Sequence, residues 1–307
     1  MYRKSSLDRL VLGTLHLRKL KKKQAFGLLD NYFCSGGKSI DTAYLYGYGE
    51  VEYLLGEYVK TFNPDCHITT KIGYFKDSTH YVDFTKLRRK ILAAIDRLNC
   101  IPDYILLHEA DWGAWWCSEA QPGKLATDHL LAQGNFDLFF QCVELGKEYG
   151  FQVGISGNHA PILQRLSSIL HPSLILVAKQ YDLLWNSAKH LINQAESNNY
   201  SVICAAPFHQ GWLYKLNELQ NKLPHLSHRM LALKRLLHKN NLKVEQLAIS
   251  YILNSTNSST KVVFGVESLK ELKIVFKNYN YKISDHLINE IKSLGSDQRP
   301  MLGPITI

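Results

Sequence analysis

The chain has 307 residues and a formal net charge of +9, with 46% hydrophobic and 21% charged residues. This balance supplies a sizeable core and excludes wholesale disorder. The sequence contains no stretch of eighteen apolar residues, and the short apolar run near its start lacks a cleavage site, so we expect neither a membrane span nor a signal peptide.

The cysteines and basic residues restrict the class of protein further. Six widely spaced cysteines form no C-x-x-C pair, which argues against a disulfide scaffold and a zinc site and favours reduced thiols in a cytoplasmic protein. The densest basic run, residues 18–23, is interpreted as a solvated helix start. No zinc-finger, RNP or helix-turn-helix signature accompanies it, so nucleic-acid binding is not expected. The positive charge suits an anionic cofactor or substrate.

Short apolar runs alternate with helical patterns along the chain. The predicted strands are 10–15, 39–43, 67–73, 103–109, 152–157, 174–180, 201–208 and 261–266. The predicted helices are 21–35, 49–61, 83–99, 133–149, 160–170, 187–199, 243–254, 268–278 and 284–295. The strands are continuous apolar runs, as expected for a parallel sheet covered on both faces. Eight strand–helix pairs predict a (β/α)₈ TIM barrel, an α/β fold; a doubly wound sheet is the alternative, but no G-x-G-x-x-G follows the first strand.

Two long connections interrupt this alternation, at 110–132 and 209–240. No Pro- or Ser-rich linker accompanies them, so we interpret 1–307 as a single barrel domain. Both connections follow a strand, and this places them on the face of a barrel that carries active sites. The second contains a basic helical pattern that either folds over a cofactor or covers the barrel rim.

Four ionisable residues lie at or just after the ends of three successive predicted strands. They are Asp41, Tyr46, Lys71 and His108. Burying a lysine and an aspartate is costly unless they pair, so their convergence on one barrel mouth predicts a site. An ammonium lowers the pKa of a neighbouring phenol, and an imidazole can hydrogen-bond a substrate oxygen. The set fits proton transfer at an oxygen, coupled to chemistry that a hydride cofactor supplies.

The segment "IDTAYLYGYGEVEYLLGE", with "TTKIG" and "DYILLHEAD", resembles the motifs of the aldo-keto reductase superfamily, and the similarity covers about residues 7–280 of the barrel. The resemblance implies that Tyr46 is a general acid, that Lys71 and Asp41 tune it, and that His108 orients the substrate. It also implies a nicotinamide cofactor bound across the mouth. The cofactor-binding residues that it assigns are Thr14, Ser156, Asn158, Gln180, Pro207, Gly265 and Glu267.

The cofactor positions depart from the family pattern in three places. Gly157 separates Ser156 from Asn158, which are adjacent in the family, and Ala205 replaces an aromatic residue that stacks on the nicotinamide. Glu267 stands where the family often has an arginine for the 2′-phosphate of NADP. A carboxylate repels a phosphate and accepts from a ribose hydroxyl, which favours NAD over NADP, although Lys270 or Lys273 can still reach a phosphate.

Aromatic residues suggest how a substrate is enclosed. The loop after the fourth strand holds Trp112, Trp115 and Trp116, which either line the substrate site or pack on the barrel. Trp185 is a second candidate for the wall, and His16 is interpreted as a structural residue at the mouth. We expect an oxidoreductase acting on a carbonyl or alcohol, with a sugar or sugar-like substrate preferred. The alternatives are a cofactor-binding regulatory barrel and a non-redox lyase or epimerase.

Overall fold

Eight parallel strands close into a barrel. The computed structural model describes residues 7–198 and 200–294. The strands are β1 (Leu10–Gly13), β2 (Ser39–Asp41), β3 (His67–Ile72), β4 (Tyr104–Leu107), β5 (Gln152–Gly157), β6 (Leu174–Ala178), β7 (Ser201–Ala205) and β8 (Thr260–Gly265). Each pairs with its neighbour in chain order, and β8 closes on β1. The predicted (β/α)₈ barrel is therefore confirmed.

Helices follow the strands and cover the barrel. They are α1 (Lys22–Cys34), α2 (Glu50–Phe62), α3 (Phe84–Leu98), α4 (Asp128–Gln133), α5 (Asp137–Tyr149), α6 (Ala160–Leu170), α7 (Lys189–Ser197), α8 (Leu216–Lys222), α9 (Ser227–Lys239), α10 (Val244–Ser255), α11 (Leu269–Asn278) and α12 (Asp285–Leu294). The helix predicted at 133–149 begins later, at Asp137, because Gly134 adopts an extended backbone and ends α4. Residues 199 and 295, the last of two predicted helices, lie outside the described residues.

The core has two layers. Apolar residues that point into the barrel form a small inner cluster, which includes Val11, Leu106, Leu176 and Ile203. The outward-pointing residues of the strands pack against the apolar stripes of the helices in a larger cluster. Alternation of side chains along each strand supplies both layers, and this is why the strands are apolar throughout.

The two long connections carry structure of their own. The segment 110–132 contains a short 3₁₀ turn at Gly113–Trp115 and an isolated bridge between Trp112 and Leu125. The segment 209–240 contains α8 and α9, and α9 is the predicted basic helix. It packs against α8 and α12, and its residues Met230 and Leu233 are buried. None of the helices in the described part of the chain is both long and apolar enough to cross a membrane.

Candidate active site

Tyr46 lies in a tight turn between β2 and α2. Gly47, Tyr48 and Gly49 all have positive φ angles, of 70°, 53° and 98°. Glycine adopts such angles without the steric strain that a Cβ causes, and this explains the glycines on both sides of Tyr48. The turn brings the Tyr46 hydroxyl to within 3.3 Å of Lys71 Nζ.

The strand ends bring the other predicted residues to the same mouth. Asp41 is the last residue of β2, Lys71 is the last but one of β3, and His108 directly follows β4. The ladder continues past the strands, since His108 N donates to Ile72 O at 2.9 Å. Thr14 is buried at the end of β1, and its hydroxyl donates to Asp41 O at 3.0 Å. Thr14 therefore supports Asp41, and its assignment to a cofactor stays a prediction.

The Lys71 ammonium is fully engaged. It donates to Asp41 Oδ2 at 2.7 Å, to the carbonyl of Thr42 at 2.8 Å and to the Tyr46 hydroxyl oxygen at 3.3 Å. An ammonium has three donors, so these contacts use all of them. Because Lys71 donates to the Tyr46 oxygen, the phenolic hydrogen remains available for another acceptor.

The Asp41–Lys71 pair is buried, with each side chain only 2% exposed. Burial is the largest single effect on Lys71 and would lower its pKa, but the charges and hydrogen bonds of Asp41 and Tyr46 together outweigh burial and raise that pKa above its ordinary value. Burial also raises the pKa of Asp41, while the Lys71 ammonium opposes this effect. The short contact and the additional acceptor on Thr42 favour a charged pair at neutral pH.

The balance of forces on Tyr46 differs from the sequence-based prediction. Lys71 does lower the pKa of Tyr46, as predicted, but burial of the hydroxyl has the larger effect and raises the pKa above its ordinary value. The expected net lowering is therefore wrong for the protein without ligands. The reason is desolvation, which disfavours a phenolate and is not visible in residue spacing. Burial therefore favours the protonated form of Tyr46, and Lys71 favours the phenolate.

His108 is held neutral and in a fixed position. Burial and the nearby Lys71 ammonium place the pKa of His108 well below its ordinary value. The Tyr74 ring packs edge-on against the imidazole at 4.9 Å, and a Cβ on Gly73 would lie 2.8 Å from the Cβ of His108. Trp115 Nε1 donates to His108 O at 2.9 Å. These contacts fix both the backbone and the ring.

The tryptophans of the loop after β4 have different roles. Trp115 and Trp116 are buried, and Trp116 Nε1 donates to Ala110 O at 2.7 Å. Trp115 and Trp116 therefore pack on the barrel and do not line the substrate site. Trp112 is half-buried and packs edge-on against Tyr74 at 4.8 Å. Trp112 is thus the member of the loop that can still border a substrate.

Three predicted cofactor residues lie at or just beyond the ends of β5 and β6. Ser156 Oγ donates to the carbonyl of Leu107 at 3.2 Å. Asn158 Nδ2 lies 2.6 Å from both carboxylate oxygens of Glu109. Gln180 Oε1 accepts from Ser187 Oγ at 2.8 Å. The barrel therefore gathers these side chains on one side of the mouth, each oriented by a neighbour.

Glu109 was not found by sequence reasoning. It is buried beside His108 with a φ of 54°, and it accepts from Tyr74 Oη at 3.0 Å. Its only sequence signal was its place in "LLHEAD". Gly157 separates Ser156 from Asn158. A Cβ on Gly157 would lie within 2.8 Å of the Asp111 carboxylate oxygens, so a glycine is needed at this position.

The loop after β7 has an unusual backbone. Ala206, His209, Gln210 and Gly211 all have positive φ, from 49° to 86°. Phe208, with φ −93° and ψ 10°, directly precedes His209. Within the loop, His209 N donates to Ala206 O at 2.8 Å and Gly211 N donates to Phe208 O at 3.0 Å, so these amides are used inside the turn itself. Pro207 is buried within this loop, and its assignment to the cofactor stays a prediction.

The end of β8 meets the loop after β1. Glu267 Oε1 accepts a hydrogen bond from Lys19 Nζ at 2.7 Å. It also lies 3.0 Å from His16 Nδ1, but the geometry of that contact is not that of a hydrogen bond. The hydrogen bond from Lys19 lowers the pKa of Glu267. A Cβ on Gly265 would lie 3.0 Å from His16 Cδ2. The charge of the Glu267 carboxylate is therefore partly compensated by Lys19, which belongs to the basic run 18–23.

The sequence from residue 9 to residue 296 matches the model of the Aldo/keto reductase family. The chain belongs to this family. Its members are oxidoreductases that use nicotinamide cofactors, and this aldo-keto reductase is thus a nicotinamide-dependent oxidoreductase.

Solved structures agree with this assignment at the level of the fold. The aldo-keto reductase AKR11C1 from Bacillus halodurans, in its holo form, superposes with a TM-score of 0.71 at 17% identity over 96% of this chain and 94% of that one. The thermostable aldo-keto reductase Tm1743, in complex with the inhibitor epalrestat, gives 0.68 at 19% identity over 94% and 95%. The comparison with curated proteins found no match.

The residues of this aldo-keto reductase suit a nicotinamide dinucleotide. The polar side chains at the ends of β5 and β6 can hold a carboxamide. Tyr46 and His108 follow strand ends at the same mouth and can face a reacting carbonyl.

Proposed function

We propose that this aldo-keto reductase interconverts a carbonyl compound and an alcohol, with Tyr46 as the general acid and base. Lys71 and Asp41 would tune Tyr46, and His108 would orient the substrate oxygen. Ser156, Asn158 and Gln180 would hold the nicotinamide carboxamide, and the loop around Pro207 the pyrophosphate. All six cysteines are free thiols, which supports a reducing, cytoplasmic location.

The Lys71 ammonium carries this proposal. It donates to the Tyr46 oxygen and leaves the phenolic hydrogen free, so Tyr46 can donate that hydrogen to a substrate oxygen. When Tyr46 gives up its proton, the phenolate faces an ammonium that is already paired and positioned. A preorganised charge of this kind stabilises negative charge without reorganisation at the moment of reaction.

In the direction of reduction, a nicotinamide cofactor held by Ser156, Asn158 and Gln180 would supply the hydride that the carbonyl carbon needs. Tyr46 donates its proton to the carbonyl oxygen, so that one hydride and one proton convert the carbonyl to an alcohol. His108, kept neutral by burial, donates a hydrogen bond to the same oxygen and fixes its direction. Oxidation of an alcohol uses the same groups in reverse order, with the Tyr46 phenolate accepting the proton.

We further propose a preference for NAD, on the basis of Glu267. Its side chain is 49% exposed at the end of β8, and a carboxylate there repels a 2′-phosphate. Lys19 compensates part of this charge, so the expected preference is modest. The ratio of the dissociation constants for NADH and NADPH, measured by quenching of tryptophan fluorescence, tests it directly.

A polar substrate, such as a sugar or sugar-like compound, fits the surroundings best. Tyr74 and Trp112 offer aromatic edges beside His108, and Glu109 offers carboxylate oxygens that can accept from hydroxyl groups. An indole face and a carboxylate together suit a polyhydroxylated ring. A panel of aldoses and aromatic aldehydes, compared by kcat/KM, tests this preference.

The deciding experiment replaces Tyr46 by phenylalanine. Tyr46→Phe deletes the proton donor and should lower kcat by about 10²–10⁴-fold while leaving cofactor affinity within about twofold. Tyr48→Phe is the matched control, because Tyr48 lies in the same turn with its side chain exposed and should retain wild-type turnover.

Wild-type turnover in Tyr46→Phe would remove Tyr46 from its proposed role. Tight cofactor binding by the wild type without turnover of any carbonyl or alcohol would instead favour the regulatory barrel. A product formed without net oxidation of the cofactor would favour the lyase or epimerase.

A further inference from the structure

A buried aspartate–histidine contact lies outside the catalytic set. Asp182, in the turn after β6, and His209, in the loop after β7, contact each other through Oδ2 and Nδ1 at 2.7 Å. Their side chains are 0% and 3% exposed. Charged and polar groups are costly to bury, so a pair of this kind must fix something specific or be compensated by packing.

The Asp182 side of the pair is rigid. Its Oδ1 accepts from the amides of Leu184 and Trp185 at 2.8 and 3.1 Å, and its own amide donates to Trp185 O at 2.8 Å. Gln180, two residues earlier, is held in the same turn because its carbonyl accepts from Ala188 N at 3.0 Å. Asp182 thus presents a fixed acceptor from the segment that also orients Gln180.

The His209 side lies in a strained segment. Three non-glycine residues of the loop after β7, Ala206, His209 and Gln210, have positive φ. Residues with a Cβ adopt this region only when other contacts hold them there. The Nδ1 contact to Asp182 is such a contact, and it ties the middle of the loop to the neighbouring turn.

Packing completes the attachment. The Trp185 indole stacks on the His209 imidazole with ring centroids 4.0 Å apart and an interplanar angle of 21°. Trp185, which was predicted as a substrate wall, is therefore buried against this loop. His209 Nε2 is also buried, with no hydrogen-bond partner among the described residues. Because Nε2 is closed off from the mouth, His209 acts through the position of its backbone and not by touching a ligand.

We propose that the hydrogen-bonded Asp182–His209 pair, stacked on Trp185, holds the 206–211 loop in the conformation that binds the cofactor. His209 is then a positioning residue, and the pair links the pyrophosphate loop to the turn that carries Gln180. This inference rests on the proposed function for the identity of the ligand, but the state of the loop can be measured without any ligand.

Two substitutions separate the nitrogens of His209. His209→Asn keeps a donor near the position of Nδ1 and should preserve the contact to Asp182, whereas His209→Gln keeps a donor near Nε2 and should lose it. His67→Gln is the matched control, because His67 Nδ1 also lies 2.7 Å from an aspartate, Asp103, but at the opposite end of the barrel and largely exposed.

Hydrogen exchange of the 206–214 amides in the protein without cofactor is the first measurement. We expect exchange at least tenfold faster in His209→Gln and near-wild-type exchange in His209→Asn and His67→Gln. Equal protection in all four proteins would overturn the proposal. Should His209→Gln fail to fold, Trp185→Leu takes its place with the same expectation, since it removes the stacking face.

Cofactor affinity and turnover are the second measurement. His209→Gln should raise the dissociation constant for NADH or NADPH about tenfold and change kcat at saturating cofactor less than twofold, and His209→Asn should restore the affinity. An unchanged affinity in His209→Gln, with a loosened loop, would overturn the link to the cofactor. If the wild type binds neither cofactor, the proposed function fails, while loop exchange still decides whether the pair holds the loop.

Discussion

Lys71→Met tests the buried centre of the site most directly. The substitution removes an ammonium that donates to three acceptors and leaves the Asp41 carboxylate, 2% exposed, without its partner. Breaking one side of such a pair costs about 3–5 kcal/mol in the free energy of unfolding. For 307 residues, an unfolding entropy of about 2.1 cal/mol/K per residue converts this to a fall in Tm of roughly 5–8 °C.

Urea unfolding followed by circular dichroism measures this free energy. Lys38→Met is the matched control, because Lys38 lies 3.4 Å from Asp65 with side chains 52% and 92% exposed, and its loss should cost under about 0.5 kcal/mol. The double variant Asp41→Asn with Lys71→Met removes both charges and should recover about 2 kcal/mol of the single-variant loss. A cost under about 1 kcal/mol for Lys71→Met, or strict additivity in the double variant, would refute a charged pair.

Three further predictions follow from the site. Trp115→Phe deletes the donor to His108 O and should lower kcat/KM about tenfold and the free energy of unfolding by about 1–2 kcal/mol. Trp112→Phe should change KM and leave Tm unaltered. The reverse pattern would contradict the roles assigned to the two indoles. The pKa of His108 in the folded protein lies well below its ordinary value, so only the unfolded chain takes up a proton there as the pH drops below about 6.5. The free energy of unfolding should therefore fall below that pH. His108→Asn should flatten this fall, as measured by urea unfolding at several pH values. Glu267→Arg should shift the NADH/NADPH affinity ratio toward NADPH, and Lys19→Met should shift it toward NADH; unchanged ratios would place Glu267 away from the ribose.

The barrel and the convergence of the catalytic candidates could be predicted because both follow from chain order. Alternating apolar runs and helical stripes specify the fold, and residues at the ends of parallel strands must meet at one mouth. That reasoning places Asp41, Lys71 and His108 together without any knowledge of side-chain contacts.

Contacts that depend on the path of a loop were beyond the sequence. Trp115 and Trp116 turn inward because their indole N–H groups find carbonyls at the end of β4, and Glu109 meets Asn158 only when two loops are placed in space. The net pKa shift of Tyr46 was also inaccessible, since it depends on how much solvent the folded barrel removes from one hydroxyl.

The close approach of Gly157 to Asp111 makes these two positions epistatic. Any side chain at 157 collides with the carboxylate, while the carboxylate itself accepts from Asn158 N at 2.8 Å. Restoring the usual adjacent serine and asparagine of the family by a single exchange would therefore damage this chain unless residue 111 is first made smaller. The mutational path between the two arrangements has to pass through position 111 first.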